Sequence, residues 1–290
     1  MQIHSRSASS DGKTLKYRQM TEDGFLVETT YVDHGNKHII CFSSQVGCPV
    51  GCHFCASGQR KDEKRFRQSL SAAELILQCE NVVADRGIDD DERPILFSCM
   101  GEGEPLLNIS AVISALAHFG SRYPLARGAL STSGIFPARI RELADRRIPI
   151  PMKLQISLHA PTDELRKLLI PRTASLDAII AAASYYATKT GNPVEWNYVL
   201  LRGVNDDRSH ALALIALLPH GTHIKLNRFN ADPRLPFSPA SDETQRSFVR
   251  VLEDGGLIAE SYRTNGSDIG AGCGQLTYAV SAVVLLSPAR

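Results

Sequence analysis

Three cysteines in the segment Cys48-Pro-Val-Gly-Cys52-His-Phe-Cys55 constrain this chain more than any other feature of its sequence. Their CxxxCxxC spacing puts three thiols on a glycine-containing loop that follows the apolar run Ile39-Ile40-Cys41-Phe42. Three thiolates bind three irons of a four-iron cluster and leave the fourth iron free for another ligand. The spacing therefore predicts that Cys48, Cys52 and Cys55 hold a [4Fe-4S] cluster that takes part in chemistry.

Two other interpretations stay open for this segment, a zinc site and unliganded thiols. A structural zinc ion normally takes four ligands, and His53 lies between two of the cysteines, where it could not complete a tetrahedron with them. A disulfide framework is disfavoured because the chain is long, has seven cysteines and shows no secretory signal. The polar N-terminus lacks a signal-peptide core, so we expect a cytoplasmic protein.

The size and charge of the chain limit its organisation and its partners. The 290 residues, 43% of them hydrophobic, suffice for a full-size core, so we expect a core domain at 37–290 with a small β extension at 1–36. A net charge of +1 argues against nonspecific binding of nucleic acid over the whole surface. The mixed-charge segment 60–67 is either a solvated connector or a local phosphate contact. The apolar stretch 276–286 is shorter than the roughly 20 residues that a bilayer span requires, so no membrane partner is expected.

The order of strand and helix patterns predicts the fold class. Three short strands between residues 14 and 44, with turns at 21–24 and 33–36, indicate a β-meander. Six strand–helix pairs then alternate, which is typical of an α/β protein whose parallel sheet curls into a partial (β/α)6 barrel. Ligands of such sheets bind at the carboxyl ends of the strands. The predicted strands after the meander are 94–99, 128–131, 152–157, 194–200 and 223–227, and the predicted helices are 71–84, 109–119, 137–143, 176–187, 209–218 and 242–253.

Polar and glycine residues collect at the predicted carboxyl ends of the strands. The turn Gly101-Glu-Gly-Glu-Pro105 has the glycines that allow backbone to approach a ligand closely, although a tight turn explains them equally well. Ser131 and the segment Ser157-Leu-His159 bring hydroxyl and imidazole groups to the same rim. Helix capping or turn formation is the structural alternative for both serines.

Two residues outside these motifs are further candidates. If His34 and Gly35 are the central residues of a two-residue turn, Glu28 lies directly opposite Cys41, with Cβ atoms about 5 Å apart. An exposed strand carboxylate is the alternative for Glu28. Cys273 stands in a glycine-rich loop that could carry a reactive side chain into a crowded site, although a lone cysteine is more often a small core residue. Core positions are also expected for Cys79 and, without a reactive role, for Cys99.

Taken together, these motifs resemble the RlmN/Cfr family of radical S-adenosylmethionine (SAM) RNA adenosine methyltransferases. The resemblance extends from about Lys16 to about Leu276, in the order of the family's motifs. It covers the cysteine loop and the segments Cys41-Phe-Ser-Ser-Gln-Val-Gly-Cys48, Gly103-Glu-Pro-Leu-Leu-Asn108, Leu130-Ser-Thr-Ser-Gly134, Ile156-Ser-Leu-His-Ala160, Gly203-Val-Asn-Asp206 and Gly270-Ala-Gly-Cys273-Gly-Gln-Leu276.

The resemblance implies a role for each candidate residue. Cys273 would carry a methyl group taken from one SAM, Glu28 would remove the ring proton of the adenosine, and Cys41 would release the product through a transient disulfide. The reaction would consume two SAM molecules and methylate an sp² carbon, expected to be C2. SAM contacts are implied for Gly103, Glu104, Ser131, Ser157, Leu158, His159 and Asn230.

The chain also departs from the family pattern. Glu102 stands where the family usually has methionine, and only some forty residues precede Cys41 in this sequence, where ribosomal-RNA methyltransferases of the family have an N-terminal RNA-binding domain. We therefore expect a short-form, monomeric enzyme that acts on rRNA or tRNA and takes electrons from a donor such as flavodoxin or ferredoxin. A peptide or small-molecule substrate is the alternative, and a non-catalytic iron–sulfur sensor is disfavoured.

Overall fold

The computed structural model describes residues 1–58, 66–263 and 265–276 of the chain. Within them, none of the helices is both long and apolar enough to cross a membrane. The elements follow one another along the chain as β1 Gln2–Ala8, β2 Thr14–Met20, β3 Leu26–Asp33, β4 His38–Cys41, β5 Gln45–Gly47, β6 Phe66–Ser69, α1 Ala72–Arg86, β7 Ile95–Cys99, α2 Ile109–Arg122, β8 Arg127–Thr132, α3 Pro137–Asp145, β9 Met152–Ser157, α4 Asp163–Leu169, α5 Leu176–Thr190, β10 Val194–Leu200, α6 Arg208–Leu217, β11 His223–Arg228, α7 Asp242–Asp254 and β12 Ile258–Tyr262.

One ten-stranded sheet organises the chain in the order β1-β2-β3-β4-β7-β8-β9-β10-β11-β12. The pairs from β1 to β4 are antiparallel, and every pair from β4 onward is parallel. Strands β5 and β6 form a separate antiparallel pair beside the cysteine loop. The predicted α/β class, with a parallel core and an N-terminal antiparallel extension, is confirmed. The predicted boundary at residue 36 falls in the β3–β4 turn, and the division into two domains stays a prediction.

The two sides of the sheet come close together, since Lys16 Nζ, on β2, donates to the carbonyl of Gly270, a few residues after β12, at 3.2 Å. Cys41 ends β4 and Tyr262 ends β12, with five strands between them in the sheet. Burial, and then the nearby thiols of Cys273 and Cys41, raise the pKa of Tyr262. The two outer strands of the parallel sheet therefore approach each other at their carboxyl ends, as the predicted partial barrel requires.

Helix boundaries follow local capping signals. The side chain of Ser71 and that of Glu74 form a capping box at the start of α1, and Gly87 ends this helix in a left-handed conformation. Serine side chains also cap α5 and α7, at Ser175 and Ser241. The apolar faces of these helices join the buried side of the sheet in one large core. The helices thus fix the outside of the barrel and leave its carboxyl rim open.

Five elements, β1, β5, β6, α4 and β12, were not predicted from the sequence. The seven-residue helix α4 is too short to show a clear helical period. Strand β12, Ile258-Ala-Glu-Ser-Tyr262, has no regular apolar alternation, and none of its residues is fully buried. Strands β5 and β6 are only three and four residues long, so their pattern cannot be told from that of a loop. The segments 59–65 and 277–290 lie outside the described residues. They contain most of the mixed-charge segment 60–67 and of the apolar stretch 276–286, so the expectations for both stay predictions.

Candidate active site at the carboxyl rim of the barrel

The cysteine loop connects β5 to a short 3₁₀ helix, Ala56–Gly58. Cys55 N–H donates to the Cys52 carbonyl at 3.2 Å, and Gly58 N–H donates to the Cys55 carbonyl at 3.1 Å, so the loop turns tightly around its last two cysteines. Burial, and then the neighbouring Cys55, raise the pKa of Cys48 to about 12. The pKa of Cys52 is raised as well, first by burial and then by Cys55 and Cys48. The three thiols are therefore electrostatic neighbours.

Within the described residues, the structure shows no ready site for a single metal ion at these thiols. Thiolates around one zinc ion lie roughly 3.8 Å apart, as Zn–S bonds of about 2.3 Å require. Across the described residues, no three His, Cys, Asp or Glu side chains come together closely enough to hold one metal ion. His53 faces away, because its Nδ1 contacts the carbonyl oxygen of Leu168 at 2.8 Å. Thiols with raised pKa values keep their protons until metal displaces them, so metal loading here releases protons.

The loop that carries Cys273 is attached to the cysteine loop. Ala56 N–H donates to the carbonyl of Gly274 at 2.8 Å, and the amide of Asn230 donates to the carbonyl of Cys273 at 3.0 Å. A Cβ atom at Gly272 would lie 2.7 Å from the Asn230 amide nitrogen, so a larger residue there would displace the Asn230 side chain. Asn230, which the sequence assigned to SAM, thus also fixes the backbone of Cys273.

The structure brings Cys273 close to both Cys41 and Cys55. The residue is exposed, yet burial, and then Cys55, raise the pKa of its thiol to about 11. Burial, and then Cys273, raise the pKa of Cys41 to about 12. All seven cysteines are free thiols, so the structure contains no Cys41–Cys273 disulfide.

The predicted register around Glu28 is wrong by two residues. Thr30, not Glu28, pairs with Cys41, and Asp33 pairs with His38. The turn is centred one residue later than expected, because Gly35, with φ of 82°, occupies the first central position, where type II′ turns require a positive φ. Since alternate residues of a strand share a face, Glu28 still lies on the face of Thr30.

The Glu28 carboxylate is buried between two cations of β2. Its side chain is 3% exposed, and its Oε1 lies 3.1 Å from Lys16 Nζ and 3.4 Å from Arg18 Nε. Lys16 Nζ also donates to the carbonyl of Gly270, in the Cys273 loop, at 3.2 Å. The exposed-carboxylate alternative is therefore wrong, and Glu28 lies on the side of the sheet where the Cys273 loop packs.

The glycine turn after β7 lies against the chain that leads into the cysteine loop. A Cβ atom at Gly101 would lie 2.7 Å from the backbone of Phe42, and one at Gly103, whose φ is +109°, would lie 2.5 Å from Ser44 Oγ. Only glycine fits at these two close approaches. The turn therefore holds the residues before Cys48 at the rim.

Glu104 is satisfied by hydrogen bonds from the end of β8. Its carboxylate accepts from Thr132 Oγ1 at 2.6 Å, from Ser133 N–H at 2.8 Å and from Ser133 Oγ at 2.7 Å. Burial raises its pKa, against these bonds. A carboxylate has about four lone-pair sites, and Leu106 N–H takes another at 3.3 Å. A ligand ammonium would therefore share the Glu104 carboxylate with Thr132, Ser133 and Leu106.

Ser131, Ser157 and Leu158 lie at the ends of adjacent strands. The hydroxyls of Ser131 and Ser157 are 3.5 Å apart on the partly open rim. The Leu158 side chain is fully buried, its N–H donates to the Asn197 carbonyl at 2.9 Å, and its carbonyl accepts from Arg166 at 2.6 Å. Leu158 therefore supports the rim, whereas the serine hydroxyls are available to a ligand.

His159 is held in a strained conformation beside the cysteine loop. Its φ is 59°, in the left-handed region that non-glycine residues rarely adopt. Asn205 Nδ2 donates to its carbonyl at 2.9 Å, and Val199 N–H donates to its Nδ1 at 3.0 Å. Burial, and then Arg166, lower its pKa to about 3, so the imidazole is neutral with its proton on Nε2. The Phe54 ring packs edge-on against it at 4.8 Å.

Arg166, on α4, is the main residue that the sequence interpretation missed. Its side chain is fully buried, and its guanidinium donates to the carbonyls of Ser157 at 2.9 Å, of Leu158 at 2.6 Å and of Ser133. Burial lowers its pKa to about 10, so it stays charged at neutral pH. The signal in the sequence was its helical spacing from Leu169, which places it on the buried face.

Replacing Arg166 by methionine is expected to lower the free energy of unfolding by about 2–4 kcal/mol, because three buried carbonyls lose their donors. Urea denaturation of the anaerobic protein measures the change. Lys167→Met, at an exposed position on the same helix, is the matched control. Equal midpoints for the two variants would show that Arg166 does not hold the rim together.

Comparisons with known proteins agree with this site. Residues 42–215 match the model of the radical SAM superfamily. The dual-specificity RNA methyltransferase RlmN of Syntrophobacter fumaroxidans is 35% identical over 279 residues, which are 93% of this chain and 78% of the relative. A crystal structure of a radical SAM methyltransferase from Sphaerobacter thermophilus has a TM-score of 0.84 and 32% identity, and the match covers 93% of this chain and 79% of that one.

A more distant structure shares the fold alone. A mutant form of spore photoproduct lyase has a TM-score of 0.56 at 14% identity, over 77% of this chain and 76% of that chain. The barrel is therefore common to enzymes of different chemistry. With this set of matches, the chain is an enzyme of the radical SAM superfamily and belongs to its RlmN family.

Proposed function

We propose that this enzyme transfers a methyl group from SAM to C2 of an adenosine in RNA, with Cys273 as the methyl carrier. The observation that carries the proposal is the position of the Cys273 thiol between two others. The Cys55 thiol contributes to its raised pKa, and Cys273 in turn contributes to the raised pKa of Cys41. One neighbour belongs to the loop that would hold the cluster. The other, Cys41, would attack the carrier sulfur.

The reaction class follows from the substrate carbon. C2 of adenine lies between two ring nitrogens and is not nucleophilic, so polar transfer from SAM is not available. When bound, the [4Fe-4S] cluster and SAM supply the one-electron chemistry that removes a hydrogen atom from the methyl group on Cys273. A donor such as flavodoxin or ferredoxin would provide the electron.

The rim residues bind and orient SAM in this proposal. Cys48, Cys52 and Cys55 hold the cluster and leave one iron for SAM. The hydroxyls of Ser131 and Ser157 accept and donate hydrogen bonds, while neutral His159 offers its Nε2 proton. The backbone at Gly103 and the groups of Glu104, Leu158 and Asn230 complete the site.

Glu28 and Cys41 complete the transfer. After the carbon on Cys273 sulfur bonds to C2 of the base, the adduct would give up one electron, for which the bound cluster would be the acceptor, and Glu28 would take the proton that C2 loses. The Cys41 sulfur then attacks the Cys273 sulfur, a sulfur–sulfur bond forms, and the sulfur–carbon bond breaks with its electron pair on the product carbon. Protonation of that carbon gives the methyl group, and an external dithiol reductant, oxidised to its disulfide in exchange, restores both thiols.

Labelled SAM tests the substrate and the position together. The reconstituted enzyme is incubated with deuterated SAM and either rRNA fragments or tRNA, and nucleosides are analysed by mass spectrometry. We expect 2-methyladenosine that contains label. Label in 8-methyladenosine would overturn the C2 assignment, and label only in a peptide or small molecule of a cell extract would overturn the RNA substrate.

Glu28→Gln is expected to lower product formation at least about 100-fold, because the amide cannot take the C2 proton. Cluster content and methylation of Cys273 should not change, since neither requires this proton. Mass spectrometry should show a covalent protein–RNA species that accumulates. Glu22→Gln, at an exposed position before β3, is the control. Unchanged turnover in Glu28→Gln would leave the proton acceptor elsewhere.

A further inference from the structure

Lys16 lies between two parts of the site that the sequence analysis treated separately. It is on β2, where it pairs with Thr30 and has Glu28 as a diagonal neighbour on the next strand. Its side chain is 8% exposed. Burying a lysine costs free energy unless its ammonium is paired and hydrogen-bonded, so its contacts indicate its purpose.

The ammonium makes one contact on each side. It lies 3.1 Å from Glu28 Oε1 and donates to the Gly270 carbonyl at 3.2 Å. Gly270 is three residues before Cys273 in the same loop. Lys16 thus joins the proposed proton acceptor to the backbone that carries the proposed methyl carrier.

The first half of this loop also packs against the hairpin formed by β1 and β2. Ser10 N–H donates to the Asp268 carboxylate at 2.8 Å, and a Cβ atom at Gly266 would lie 2.6 Å from Thr14 Cγ2. These contacts fix the start of the loop, and the bond from Ala56 to Gly274 fixes its end. The hydrogen bond from Lys16 to Gly270 lies between these two attachments, and its donor also contacts the Glu28 carboxylate.

Neutralising Glu28 does not by itself require Lys16. Arg18 Nε lies 3.4 Å from the same carboxylate oxygen and supplies a second positive charge. The ammonium of Lys16 does more than neutralise, because it also donates to the Gly270 carbonyl. This bridge points to positioning as the role of Lys16.

We propose that Lys16 is a positioning residue that sets the Cys273 loop relative to the Glu28 carboxylate. The inference rests on the proposed function, which makes Glu28 the proton acceptor and Cys273 the methyl carrier. Both groups must reach one base in sequence, and an error of about 1 Å in such an arrangement costs on the order of 100-fold in rate. The ammonium fixes that spacing through two short contacts.

Hydrogen–deuterium exchange tests the structural half of the proposal on the cluster-loaded protein. Lys16→Met should raise the exchange rate of amides in residues 265–273 about tenfold, because a charge-assisted hydrogen bond is lost. Lys16→Arg should stay near the wild type, since it keeps charge and donors. Lys13→Met, at an exposed position in the same hairpin, is the matched control.

Product formation tests the functional half. Lys16→Met should keep its cluster and its methylation of Cys273, yet form product about tenfold more slowly or worse, as a displaced reacting group does. Lys16→Gln keeps a donor without the charge and serves as the second variant if the methionine protein does not fold. It should slow product formation as well. In the Glu28→Gln background, Lys16→Met should add no further loss, because Lys16 acts through Glu28.

The outcomes separate the two proposals. Lys16→Met with wild-type exchange and wild-type product formation overturns the positioning role, and so does an additive loss in the double variant. If the wild-type enzyme acquires no methyl group on Cys273, the proposed function fails instead. The exchange measurement then still decides whether Lys16 holds the loop.

Discussion

Alanine at Cys48, Cys52 or Cys55 is expected to remove the iron–sulfur absorbance and reduce SAM cleavage below detection. In the proposed site each thiolate binds a different iron, so the loss of one would leave an iron without its protein ligand and the cluster unstable. Iron content after anaerobic reconstitution should fall from about four iron atoms per chain to a small fraction of that number. Formation of 5′-deoxyadenosine with a chemical reductant measures cleavage.

The structure supplies a matched control for this loss. Cys79 is fully buried and lies on the face of α1 that packs into the core. Cys79→Ala should lower stability by about 1–2 kcal/mol, as small core truncations do, while it keeps the cluster. A Cys52→Ala protein with a complete four-iron cluster would contradict the ligand assignment.

Cys273→Ala and Cys41→Ala are expected to abolish product formation at different steps. Cys273→Ala has no carrier sulfur, so the protein never gains the methyl mass from SAM. Cys41→Ala keeps the carrier and gains that mass, but it cannot break the final sulfur–carbon bond. It should therefore accumulate a covalent protein–RNA species, which denaturing electrophoresis and intact mass spectrometry detect.

Cys99→Ala is the control for general damage to the rim. Cys99 ends β7 and is 1% exposed, so it has no access to substrate. This variant should keep both the methylated carrier and turnover, with reduced stability. If Cys273→Ala and Cys41→Ala behave identically in both assays, the division of roles between the two thiols is wrong.

Local sequence signals predicted much of the fold. Strand β9 at Met152–Ser157 and strand β10 at Val194–Leu200 have the predicted boundaries, because both alternate apolar with polar residues over most of their six or seven positions. Helix α4 and strand β12 were not predicted, because neither has enough apolar periodicity to indicate a helix or a strand. The turn at Gly35 was misplaced by one residue, since the sequence alone did not show which central position has the positive φ.

The chemistry of the site can be read from the chain itself: three thiols at cluster spacing, a second pair of cysteines far apart in the sequence, and glycines at the close approaches. The neighbours of these groups depend on the folded chain, because the curl of the sheet brings Cys41 and Cys273 together across more than 200 residues. Folding also places Arg166 beneath the rim and Lys16 between Glu28 and Gly270. A charged residue has the same sequence pattern on a solvated face as in a buried contact, and only packing distinguishes the two.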